Sequence, residues 1–314
     1  MIRYFLPMLA ASAALAASPE YELSGHILSE EPANVFLYGD TAPYAANTFV
    51  SPGQAFRFKK LQPGTYTVAV SLRGRGEARR TVEVGPGTAD RHGRVAIELR
   101  LTDSDFDFST TLRRHTVSAK QLAIPEAALR DFHDAQKALS RGDAAAATAK
   151  LEDAVKRAPQ FSTAWNNLGT IAYQSRNYAR AEECFREALQ QDPQSYEALV
   201  NLGGVLVTLR KLDEALDRNE QAVLLRPNDP LAQSQLGMAD YQAGNLELAT
   251  KHLERARALD PAHFSHPQLL LFEIYLREGE RAKAAASLED FLAHHPDWPQ
   301  ADAMRKTIAE LRSR

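Results

Sequence analysis

The chain has 314 residues, with 37 Lys and Arg against 40 Asp and Glu for a formal net charge of -3 at pH 7, and 44% of its residues are hydrophobic. That near-balance gives no electrostatic footprint for nucleic acid, while the apolar fraction is ample for two cores. The single cysteine, Cys184, excludes an intramolecular disulfide and has no His or Cys at ligand spacing for a metal site.

In chain order, Arg3 precedes an apolar run from Tyr4 to Ala17 that closes on Ala14-Leu15-Ala16. Charge, short apolar run and small-x-small ending make residues 1–17 an expected secretory signal peptide. The run is shorter than the roughly 20 apolar residues of a membrane span, Pro7 interrupts it, and no second stretch of spanning length follows. The expectation is an exported protein, periplasmic or secreted, with no transmembrane segment after signal cleavage.

Residues 18–101 have a different texture. Short segments such as 21–28, 33–37, 65–72 and 95–101 alternate apolar with polar residues and are separated by Gly and Pro. Period-two segments of this length predict a small antiparallel β-sandwich. Pro63 and Gly64 supply a turn, after which Tyr66 re-enters the core. Arg73, Arg75, Arg79 and Arg80 cluster with Gly74 and Gly76 at a hairpin tip, which reads as a solvated loop, with an anion-binding tip as the alternative. Residues 102–126 form a linker. Asp103, Asp105 and Asp107 open it as a calcium loop would, but Phe108 and Arg114 stand where that template needs Gly and Glu. A polar connector with Phe106 and Phe108 tucked against a neighbouring domain is expected instead.

From residue 127 the period changes. Pro159, Pro193, Pro227 and Pro261 fall at 34-residue steps, and Ala147, Ala181, Ala215, Ala249 and Ala284 precede the closing prolines at a fixed offset. A second small residue follows each of the first four at Ala154, Ala188, Ala222 and Ala256, replaced in the fifth by Phe291. Leu151, Phe185, Leu253 and Leu288 fill the gap between hairpins, with Asn219 the exception. A 34-residue unit is one helical hairpin that cannot bury its apolar face alone, so neighbours must stack. Five repeats span residues 127–297, the last lengthened by one residue in the loop from His263 to His266. Residues 298–314 form a capping helix with Ala303, Met304, Ile308 and Leu311 facing inward.

The series Trp, Leu-Gly, Tyr, Ala, Phe, Ala, Pro, densest from Ala164 to Pro193, resembles the tetratricopeptide repeat family. The resemblance implies an all-α superhelical solenoid of α-α hairpins that binds proteins. Gly142, Gly244 and Gly279 occupy the turn where the family favours glycine, but Arg176 and Arg210 stand there in two repeats, at a cost of roughly 1–2 kcal/mol for a left-handed non-glycine residue. The stretch from Phe56 to Val68, with Phe-x-Phe and Leu-x-Pro-Gly-x-Tyr, is similar to the carboxypeptidase regulatory-like and transthyretin-like sandwiches. That likeness implies an accessory module.

No nucleophile elbow, phosphate loop or zinc-protease motif is present, so a non-enzymatic protein without cofactor or metal is expected. The pairs His263 with His266 and His294 with His295 read as solvated or helix-terminal residues. Recognition is expected on the concave groove, from Phe132, Asn166, Asn167, Thr170, Tyr173, Asn201, Gln235, Met238, Tyr241 and Glu273. Amides from Asn167, Asn201 and Gln235 can serve an extended peptide backbone, or they are simply polar residues on an exposed helix face. Lys and Arg are missing from the slots of Phe132, Asn166, Val200, Ser234 and Leu269, which argues against a clamp for a terminal carboxylate. The function expected is an exported scaffold for a protein or extended peptide, with a cell-envelope component among the possible partners. The alternative is carbohydrate or envelope-polymer binding by the sandwich, through Tyr38, Tyr44 and Phe49, with the repeats as spacer or assembly arm.

Overall fold

The computed structural model describes residues 20–106 and 123–313. The expected signal segment, and Asp107, Phe108 and Arg114 of the linker, lie outside the described residues. Seven strands come first: β1 Tyr21–Ile27, β2 Ala33–Gly39, β3 Ala45–Val50, β4 Ala55–Leu61, β5 Gly64–Leu72, β6 Gly76–Val84 and β7 Arg94–Leu99. They form two sheets, β4-β1-β7 and β3-β2-β5-β6. All pairings are antiparallel except β1 with β7, which run parallel. Alternation reports which face is buried and is blind to strand direction, so this pairing was not visible in the sequence.

The sandwich core holds Leu23, Val35, Leu37, Phe56, Leu61, Val68 and Val70, and Phe106 joins it from beyond the last strand. The Tyr66 hydroxyl donates to the Gln62 carbonyl at 2.8 Å, pinning the Pro63 turn to the strand that follows it. The arginine-rich hairpin is not the solvated loop its composition suggests. Arg75 pairs with Asp103 and lies 4.9 Å over the Phe106 ring, and Arg80 pairs with Asp105 at 2.7 Å. A short 3-10 turn, Asp103–Asp105, presents both carboxylates. The linker acids thus latch the chain to β6, and among the tip arginines Arg73 remains exposed.

Eleven helices follow among the described residues. They are α1 Glu126–Leu139, α2 Ala144–Arg157, α3 Ser162–Gln174, α4 Tyr178–Gln191, α5 Tyr196–Thr208 and α6 Leu212–Leu225, then α7 Pro230–Ala243, α8 Leu246–Leu259, α9 Pro267–Arg277, α10 Arg281–His294 and α11 Ala301–Arg312. The first ten pack as five hairpins and the eleventh closes the array. Both series of small residues, from Ala147 to Ala284 and from Ala154 to Ala256, are fully buried, with Leu151, Phe185, Asn219 and Leu253 between them. Gly169 and Gly203 on the first helices face Phe185 and Asn219 so closely that a side chain would collide with either. Cys184 is buried in this packing, and burial pushes its thiol up to about 11, an inert apolar role.

Arg176 and Arg210 adopt the left-handed turn with φ of 60° and 63°, as the glycines do in the other hairpins. His266 is a further left-handed residue, with φ 50°, at the N-cap of α9, where the fifth repeat carries its extra residue. The histidines there depart from the expected solvated positions. His263 is 2% exposed, His266 packs edge-on against Phe291 and Trp298, and His295 meets Phe291 at a tilt and Trp298 edge-on. Burial depresses His263 to about 3 and His266 to about 4, so both rings are neutral core residues at physiological pH. In the capping helix Ala301 and Leu311 are the buried pair, and Ala303 faces solvent, one turn position away from the expected stripe.

A Cβ at Gly169 would stand 2.5 Å from the buried Phe185 ring. Gly169→Val is therefore expected to lower stability by about 1–3 kcal/mol through overpacking, read as an earlier midpoint of the helical circular-dichroism signal in urea.

Candidate functional site

The outer face of the four-stranded sheet decides how the two parts meet. Along β5 the side chains of Tyr66, Val68, Val70 and Leu72 point into the sandwich, so Thr67, Ala69 and Ser71 must point away from it. An outer face should be wet, yet Ala69 is 0% and Ser71 4% exposed. The repeats cover it. Arg79, opposite Ala69 on β6, reaches Asp229 at the N-cap of α7 at 3.4 Å while holding Glu77 at 2.8 Å. Arg226 lies 3.9 Å over the Tyr196 ring and meets Glu77 at 3.7 Å and Glu197 at 2.8 Å. The Thr81 amide donates to Asp260 at 2.9 Å, and the Gln174 side-chain amide donates to the Gly39 carbonyl at 2.7 Å.

Burial opposes ionisation of Glu77 and Asp229, but the guanidinium groups of Arg79 and Arg226 outweigh it and hold both carboxyls below their ordinary range. Asp40 and Asp260 have no such cation. Burial raises Asp40 to about 8 against the opposing Thr67 hydrogen bond, and burial likewise raises Asp260.

Between sheet and repeats lies a cleft of about 490 Å³. Tyr38, Asp40, Tyr44 and Thr67 line one wall, and residues of α1, α3, α5 and α7, the first helices of successive hairpins, line the other. Of the candidate recognition residues, Phe132, Asn166, Asn167, Thr170, Tyr173, Asn201 and Gln235 meet on this cleft. Met238, Tyr241 and Glu273 do not. Met238 packs into the hairpin core, and the Tyr241 hydroxyl donates to Glu273 at 2.5 Å beneath Arg277. Asn201 spends one of its two amide donors on the Asn166 side-chain oxygen at 3.1 Å. Phe132 packs at a tilt against Phe161, ring centroids 4.8 Å apart. The groove is thus a two-walled cleft, not an open trough.

Two of the three sandwich aromatics share the cleft: Tyr38 and Tyr44 line it, Tyr44 also meeting the Tyr66 ring edge-on at 5.7 Å, whereas Phe49 stands 64% exposed outside it. Sequence reasoning missed Asp40, Glu77, Arg79, Tyr196, Arg226, Asp229 and Asp260 as contributors. A faint signal existed in the small outward residues Ala69 and Ser71, which let another layer approach the sheet.

A family model described as Tetratricopeptide repeat matches residues 134–196, 167–232 and 200–264. Over these residues the helical array has the tetratricopeptide-repeat fold. Among curated proteins the repeats are similar to the Protein STIP1 homolog of Dictyostelium discoideum, 28% identical over 136 residues, covering 43% of this chain and 24% of that protein. They are also similar to the human Cell division cycle protein 16 homolog, 30% identical over 118 residues, covering 35% and 19%. The match therefore spans a quarter or less of either relative's length. Among solved structures, PilW, titled a widely conserved type IV pilus biogenesis factor, aligns with TM-score 0.53 at 23% identity over 60% of this chain and 87% of its own. MamA 41-end from Desulfovibrio magneticus RS-1 aligns with TM-score 0.50 at 23% identity over 56% and 99%. Both share the repeat fold.

Two outcomes follow from the electrostatics. Arg79→Met keeps most of the side-chain volume but leaves Asp229 buried beside a single remaining arginine, which is expected to cost about 3 kcal/mol and to raise the radius of gyration in small-angle scattering as the sandwich undocks. Asp40 ionises near pH 4 when unfolded and near 8 when folded. Between those values the folded state keeps a proton that the unfolded state has released, so Asp40 lowers stability progressively as pH rises through this window. The melting temperature of Asp40→Asn should gain on that of the parent from about pH 5 to about pH 9.

Proposed function

We propose that the protein is a non-enzymatic, exported scaffold that holds an extended segment of a partner protein in the cleft between the concave repeat surface and the sandwich. Tetratricopeptide-repeat proteins bind protein partners, and the observation that carries the reading here is the convergence of seven groove side chains and a sandwich wall on one cleft. Asn167, Thr170 and Gln235 offer hydrogen-bonding groups toward it, and Tyr38 and Tyr173 offer flat apolar area with a hydroxyl. Two pre-formed walls lower the ordering cost of docking, because neither must fold around the segment. The sandwich, on its Phe-x-Phe and Pro-Gly-x-Tyr hairpin, is read as a carboxypeptidase regulatory-like module that serves as the second wall. Export rests on the charged, apolar and small-residue order of residues 1–17, which would place the partner in the periplasm, at the envelope or outside. No helix among the described residues is long and apolar enough to cross a membrane.

The test uses protein beginning near Ser18, screened against a displayed library of extended peptides, beside a triple variant carrying Asn167→Ala, Tyr173→Ala and Asn201→Ala. Peptides selected by the parent should bind the folded variant at least roughly tenfold more weakly. Equal binding by both would remove the cleft as the site and move attention to the exposed sandwich surface around Phe49.

A further inference from the structure

One corner of the cleft is built almost wholly of acceptors. Asp40 follows directly on β2, and its two carboxylate oxygens receive a single donor, the Thr67 hydroxyl, at 2.9 and 3.1 Å. A carboxylate offers about four acceptor sites, so most of its capacity is unused. Beside it, Gln174 from α3 donates its amide nitrogen to the Gly39 carbonyl, and its Oε1, buried, has no hydrogen-bond partner among the described residues. One buried acceptor, the Gln174 Oε1, thus lacks a donor, next to a half-buried carboxyl from the other wall that has only one.

The charge around them points the same way. Five carboxylates surround the cleft at Asp40, Glu77, Glu197, Asp229 and Asp260, and Arg79 and Arg226 pair with Glu77, Glu197 and Asp229. Asp40 and Asp260 are left without an ion-pair partner among the described residues, and Asp260 spends one oxygen on the Thr81 amide. Tyr38, Tyr44 and Tyr173 line the same cleft, the aromatic company in which a cation is well held.

We infer that Asp40 and the Gln174 Oε1 form a seat for the ammonium group of a lysine side chain, carried by the partner segment that threads the cleft. This rests on the cleft reading above and names the chemistry of its occupant. An ammonium group brings three donors to these acceptors, and it exchanges a neutral, protonated carboxyl for an ion pair with hydrogen bonds. Arg79 cannot serve Asp40 this way while it holds Asp229 and Glu77. Burial keeps the proton on Asp40 near neutral pH, against the Thr67 hydrogen bond and the field of Arg79 from β6 and with that of Asp260 at the end of α8, and Tyr66 of β5 lies beside it. Seating a lysine ionises Asp40, and its proton leaves to solvent.

Titration calorimetry of the parent and Asp40→Asn with pentalysine, its fully Nε-acetylated counterpart and free 1,5-diaminopentane tests the seat. The expected result is that pentalysine binds the parent roughly tenfold or more tightly than the acetylated peptide, and that Asp40→Asn, checked for folding by its melting curve, loses that difference. Repeating the parent titration near pH 7 in phosphate and in Tris should show release of close to one proton per peptide bound, a readout that needs no variant. Equal binding of free and acetylated peptides, retention of the difference by Asp40→Asn, or no proton release each overturns the seat. Diaminopentane binding as tightly as pentalysine overturns the lysine side chain as occupant in favour of a small amine. If library peptides bind the cleft without preference for lysine, the seat falls and the scaffold reading stands; if no peptide binds the cleft at all, both fall.

Discussion

The buried pairing of Arg79 with Asp229 is the constraint on which the rest of the molecule depends. It fastens the outer face of a β-sheet to the concave face of a helical array, two surfaces that would each be wet in isolation. Arg79 is 16% and Asp229 4% exposed at the side chain, and ions so far from water are worth little net stability unless their geometry is fully satisfied. Here the geometry is elaborate. Asp229 also caps α7 by accepting from the Leu231 amide at 2.9 Å, and Glu77, Arg226 and Tyr196 close the network around the pair. Such a network contributes orientation: it fixes which sheet face meets which helices, where an apolar contact would permit sliding.

That orientation gives the concave surface its character. The curved array follows from small residues at each helix crossing, and an array of this kind ordinarily presents its first helices to solvent. In this chain the sandwich stands opposite them, so the groove amides and tyrosines face a second wall carrying Tyr38, Asp40 and Thr67. A segment bound there would touch both domains at once, and its selectivity would come from the acceptors and rings of the sheet as much as from the repeats. The unanswered carboxyl of Asp40 is an energetic liability to the free fold, the kind of local cost that functional sites carry.

Several residues stand where their type alone would not put them. His263 and His295 are interior rings, His266 is half-buried, and Arg79 and Arg226 are interface ions. Asn219 takes a slot held by Leu or Phe in the other repeats, facing Gly203, and donates to the Gln235 carbonyl at 3.3 Å. Each is explained by a neighbour from a distant part of the chain. Phe291 and Trp298 shelter His266 and His295, while His263 lies against Phe264, and Glu77 and Asp229 neutralise the arginines.

The helical repeats and their small-residue crossings were legible in the sequence, because they rest on contacts within one hairpin or between adjacent ones, at a fixed period. The sandwich strands were legible for a similar reason, since alternation is a local record of burial. The parallel pairing of β1 with β7 was not, because alternation carries no direction. Seven of the ten candidate groove residues meet on one cleft because the repeat register fixes which helix face each occupies, whereas Met238, Tyr241 and Glu273 are claimed by packing and by each other. The second wall was decided by tertiary structure alone. Arg79 and Asp229 lie 150 positions apart in the chain, and no local pattern specifies that one charge among many will be buried against another. Their meeting is set by how two separately folded surfaces fit, and with it the chemistry of the cleft they enclose.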